Sequence, residues 1–209
     1  MSKQVKLKVP ESMSEVSLRR YQRFIEELSG KEYTEDYVAE KILEIFCDVP
    51  AELVRNIKVE DIFRVSSQIN EVLQEKPSLI TKFRMGDTTF GFIPKLDEMT
   101  FGEYVDLDTY ISDWSQMHRA MAVLYRPIIK SKGDKYQIAD YDAEMFPDAM
   151  KAMPLSVAIS AMLFFYNLEI DLLEITADSL RGEYLREARA TSMLSGGGIN
   201  QYTLSQKET

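Results

Sequence analysis

The chain has 209 residues, a net charge of −9, one cysteine and one histidine. Cys47 alone excludes an internal disulfide framework and a cysteine zinc cluster, and His118 alone excludes a histidine-rich metal site. An acidic chain with a pI near 4.8 also argues against sequence-independent nucleic-acid binding, which relies on Lys and Arg neutralising phosphates.

Gln4 to Val9 alternates apolar and basic residues before Pro10. A period of two predicts a strand with one wet face. Ser17 then precedes Leu18, Tyr21, Phe24, Ile25 and Leu28, which share a helical face closed by Gly30. A second helix follows Thr34, with Glu35 and Asp36 complementing its positive end. Asp48-Val49-Pro50 stops it, a short helix covers Ala51 to Ile57, and a longer one covers Val59 to Glu75. In the longer helix Ile62, Val65, Ile69, Val72 and Leu73 point inward.

From Leu79 to Ile93 two runs of β-formers flank Gly86-Asp87, which predicts a hairpin with a two-residue turn. Thr100-Phe101-Gly102-Glu103 fits a capping box opening a helix to about Ile111. A further helix runs from Asp113 to Tyr125, ended by Pro127. A more exposed hairpin is expected around Lys130 to Lys135, and a short helix from Ala143 to Lys151. A long helix follows from Pro154 to about Ala190. Pro154 to Leu168 contains no charge over fifteen residues. A membrane span needs about 20, so this is read as a core helix, with Ala158, Met162, Phe165 and Leu172 inward. No secretory leader is apparent at Met1 to Lys6, and a soluble protein is expected.

These elements predict a mainly helical α+β fold. A helical domain over residues 1–194 carries a small antiparallel sheet, made of the N-terminal strand and the 79–93 hairpin. Residues 195–209 form a flexible or partner-docking tail. There Ile199, Tyr202 and Leu204 follow the triple glycine at 196–198, and a short apolar segment on a tether suits docking on another protein.

The residues with chemical potential resolve to structure. Glu103, Asp106 and Asp113 share a helical stripe, as do Asp171, Glu174 and Asp178, and both read as solvated faces. His118 lies in an amphipathic helix with no nucleophile signature, and Cys47 reads as a small buried hydrophobe. Gly196 to Gly198 follows a helix instead of opening one, which is wrong for a phosphate cradle. Catalytic, cofactor-binding and metal-binding residues are therefore assigned to none. Methionines 117, 121, 145, 150, 153 and 162 crowd the second half, as a core filler or as an adaptable binding surface.

One stretch is distinctive as text. Phe90-Gly91-Phe92-Ile93-Pro94, Thr100 to Asp108, Asp113-Trp114 and Met117 to Pro127, with the later Met153-Pro154-Leu155 and Phe164 to Leu168, resemble a poorly characterised family of tailed-bacteriophage proteins. The resemblance implies a role in virion morphogenesis by protein–protein binding, without catalysis or a cofactor. A tail-assembly chaperone fits best, and a structural subunit of the tail or of the neck and connector is the alternative. A small enzyme with an unrecognised site is a third possibility, from another class. The implied partners are other phage proteins, such as tail or connector subunits, or a second copy, with no nucleic acid and no membrane. The implied location is the bacterial host cytoplasm during assembly, or the virion.

Overall fold

The computed structural model describes residues 7–168, apart from 31, 134 and 144–146, and beyond them 170, 171, 173, 174, 176 and 181. Helices α1 (Leu18–Leu28), α2 (Glu35–Phe46), α3 (Ala51–Val54) and α4 (Val59–Leu73) come first. Strands β1 (Lys82–Met85) and β2 (Thr88–Phe92) precede α5 (Phe101–Ile111) and α6 (Met117–Leu124). Strands β3 (Tyr125–Lys132) and β4 (Lys135–Ile138) lead by way of a 3-10 turn at Ala149–Ala152 to helical backbone over 155–168, here α7. The fold is mainly helical α+β, with a four-stranded antiparallel sheet in the order β1-β2-β3-β4. The chain divides into two compact units, residues 1–164 and 165–209. The 194/195 boundary and the tail residues Ile199, Tyr202 and Leu204 lie outside the described residues.

Local sequence explains most boundaries. Thr34 Oγ1 accepts from Tyr37 N at 3.3 Å to cap α2. The capping box of α5 is complete: Glu103 N donates to Thr100 Oγ1, and Thr100 N donates to Glu103 Oε2 at 2.6 Å. In the Gly86-Asp87 turn only the glycine has positive φ, at 59°, which marks type II′ and not I′. The second hairpin turns at Gly133, also at positive φ.

The sheet is assembled differently from the sequence expectation. The free edge of β2 is taken by β3, which leaves α6 at Tyr125 and pairs Phe92 with Tyr125 and Phe90 with Pro127. Leu7 to Val9, the described part of the expected N-terminal strand, do not fill that place, and residues 4–6 lie outside the described residues. Leu7 to Pro10 form no strand, and Val9 and Pro10 border α4 instead, near Glu71 and Val72. The physical reason is proximity in sequence: α6 delivers β3 straight to the edge, with Ile93 N donating to Leu124 O at 2.9 Å. Val9-Pro10 and Ile93-Pro94 are nonetheless punctuated alike. Each is followed by a 3-10 turn, a hydroxyl N-cap and a helix.

One part of the core lies among α1, α2 and α4, with Leu18, Leu43, Phe46 and Ile69 buried, and another where α6, the start of α7 and the sheet meet. Met117, Met121 and Leu124 are buried with Met150, Met153 and Leu155, so the methionines described here serve mostly as core, while Met145 lies outside the described residues. Tyr125 is fully buried, edge-on to Phe83 and Phe92, and donates its hydroxyl proton to Ile80 O at 2.8 Å. Ser160 Oγ accepts from Ile80 N at 3.1 Å and fastens α7 to the same segment. Along α7 Ala158 is fully buried, Met162 and Phe165 are half-buried, and Leu172 lies outside the described residues. No helix among the described residues is long and apolar enough to cross a membrane.

Candidate docking surfaces

The first turns of α5 bury a carboxylate and expose apolar side chains. Its buried positions are Glu103 and Leu107, whereas Phe101, Tyr104 and Val105 are exposed, Phe101 at 81%. These three share one face by the i, i+3 and i+4 rule. The cause lies beneath the helix. Glu103 Oε1 is 2.8 Å from Arg126 Nη1 on β3, and both side chains are nearly dry. Arg126 also lies 5.9 Å from the ring of Tyr141, whose hydroxyl donates to Asp106 Oδ2 at 2.5 Å. Burial, then the hydrogen bond to Asp106, raises the Tyr141 pKa. Glu103 and Asp106, expected on a solvated face, are thus anchors. Asp113 instead turns back to Ser115, accepting from its N at 2.8 Å. Among the described residues no group of carboxylates, histidine and cysteine is placed to hold a metal ion.

A second surface lies between α2 and α4. Two adjoining hollows of about 410 and 450 Å³ share Ala39 and Phe63. Val59 and Phe63, one helical turn apart on α4, are exposed at 67% and 44%. Tyr33 Oη and Ser66 Oγ border the larger hollow and are buried without a hydrogen-bond partner among the described residues. Both hydroxyls are hydrogen-bonding groups on the wall of the groove. Sequence reasoning passed over it. The available signal was Val59 and Phe63 at i, i+4, off the inward stripe of Ile62, Val65 and Ile69.

A third hollow, of about 1010 Å³, lies among α1, the α5–α6 turn and the Ala149–Ala152 turn. Its wall mixes Arg19, Arg23 and Lys151 with Glu26, Asp113 and Asp148, so it has no dominant sign. His118 is packed behind it. Its Nδ1 is 3.1 Å from Gln22 Nε2, and its Nε2 is 4.0 Å from the exposed Asp148 carboxylate. Burial, then Lys151, holds the imidazole below its ordinary pKa. Gln22 also donates to Trp114 O at 2.7 Å, so this cluster joins α1 to the α5–α6 turn. Cys47 is buried, and burial followed by the neighbouring Asp48 charge pushes its thiol up to about 11. A protonated thiol is a poor nucleophile.

In the second unit, Tyr166, Ile170 and Leu173 are exposed at i, i+4 and i+7. No protein-family model, curated protein or solved structure matches the chain.

Proposed function

We propose that this chain acts by binding other proteins, without catalysis, in the assembly of a tailed bacteriophage, as a tail-assembly chaperone. The observation that carries the binding reading is the outward apolar face of α5. Phe101, Tyr104 and Val105 lie in solvent while a carboxylate occupies the core side of the same helix. Monomers seldom expose clustered large apolar side chains unless something covers them. The assignment to phage assembly rests on the sequence resemblance at Phe90 to Pro127, which contains α5 and α6 entire. The partners are tail or connector subunits, met in the host cytoplasm.

The test is quantitative mass spectrometry of infected-cell lysate and of purified particles. A chaperone is abundant in the lysate and absent from finished particles. A fixed stoichiometry in particles would instead assign the chain to the tail or neck as a structural subunit. Loss of infectivity on Phe101→Ser with Tyr104→Ser, at unchanged protein level, supports the binding role in either case. Unchanged infectivity removes it.

A further inference from the structure

The groove between α2 and α4 differs from the α5 face in shape. Helices packed side by side leave a valley, and a third helix seats in such a valley through its apolar ridge. Here the valley floor is Ala39, Ile42 and Phe63, with Val59 continuing the line. Among the described residues the rim carries Glu35, Asp36 and Glu40 from α2 against Arg55 as the one cation lining it. None of the ion pairs among the described residues uses those three carboxylates. The charge is regional. Residues 32–75 hold eleven carboxylates against four Lys and Arg. Ser66, nine-tenths buried, has no hydroxyl partner among the described residues beside the floor, and neither has Tyr33.

We propose that this groove seats an amphipathic helix of a partner protein, with its apolar ridge on Phe63 and Val59 and Lys or Arg along its flank. The sign of the rim selects the occupant. An anionic ligand or an acidic membrane surface would be repelled, whereas a basic flank gains both affinity and association rate. The inference is independent of where the chain acts and of the α5 face.

The test uses the full chain and a fluorescein-labelled helical peptide of about four turns, with Leu at i, i+4, i+7 and i+11 and Lys on the flanks. Two controls are its twin with Glu in place of every Lys and a scrambled Lys peptide that lacks the ridge. The Lys peptide should bind, weaken as salt is raised, and outbind both controls by about tenfold or more. Phe63→Ser, at a half-exposed site, should weaken it by about tenfold. Glu35→Lys with Glu40→Lys, which leaves the apolar floor intact, should weaken the Lys peptide and strengthen the Glu twin. No binding, or equal binding of Lys and Glu peptides, overturns the proposal. So does a concentration-dependent dimer in sedimentation that Phe63→Ser abolishes, because a second copy would then be the occupant. Binding that survives both variants places the peptide elsewhere and overturns it too. The α5 variants should leave this binding unchanged, so failure here and failure of the assembly role are separable.

Discussion

Glu103 Oε1 lies 2.8 Å from Arg126 Nη1, a carboxylate of α5 against a guanidinium of β3, with side-chain exposures of only 5% and 12%. The pair sets the rotation of α5. Glu103 also holds Thr100 N, so one side chain both starts the helix and turns its charged side inward. Phe101, Tyr104 and Val105 are left facing out.

Breaking a buried ion pair by removing one partner leaves the other charge stranded, at a cost of about 3–5 kcal/mol. Glu103→Gln keeps a cap acceptor but strands Arg126, so denaturant unfolding should show a loss of about 3 kcal/mol. Arg126→Met alone should lose a similar amount, and the double variant less than the sum. Additive losses would mean that the pair does not hold α5.

Two glycines should respond in opposite directions. A Cβ on Gly91 would fall against the ring of Tyr136, whose hydroxyl donates to Phe92 O at 2.8 Å and so cannot swing away freely. Gly91→Ala should destabilise by about 1–3 kcal/mol through overpacking. A Cβ on Gly102, in the first turn of α5, meets nothing within 4 Å. Gly102→Ala should be neutral or stabilising by up to about 1 kcal/mol. Thermal unfolding of the two variants checks the contrast, and equal effects would contradict the packing at Gly91.

The turn glycine gives a third case. Gly86 has open space around it but φ of 59°. Gly86→Val should therefore destabilise through backbone strain, by about 1–3 kcal/mol, while Gly86→Asn costs less because Asn tolerates the left-handed region. Equal losses for Val and Asn would argue against strain as the cause.

His118 supplies a pH dependence. Its imidazole is held below its ordinary pKa by burial first, then by Lys151 and Arg119, with Asp148 and the Ser115 carbonyl opposing. Below about pH 6.5 the unfolded chain binds the proton more readily than the folded one. The stabilisation is thus complete above that pH and is lost as pH falls through the folded-state value. Thermal midpoints between pH 7.5 and 5 should fall less steeply for His118→Gln than for the parent. Parallel curves would show that His118 is not responsible.

Local punctuation was legible in the sequence because it is set within a few residues. The Thr100 capping box, the Gly86 turn and the second hairpin depend on neighbours in the chain. The partner of β2 was not legible, since nothing in Leu7 to Val9 or Tyr125 to Lys132 says which reaches the edge first. The α5 face was hidden for a related reason. Glu103 reads as a solvated carboxylate until Arg126, 23 positions later, is folded against it. The α2–α4 groove likewise exists only once two separate helices are side by side.

Site-specific photocrosslinking in infected cells tests the docking role of the α5 face most directly. A benzophenone amino acid is placed at Phe101 or Tyr104, and at Asp87 on the exposed hairpin tip as a control. The α5 positions should capture one tail or connector protein, identified by mass spectrometry, and the hairpin position should not. Capture that is equal at all three positions, or absent from α5, would contradict a docking role for this face.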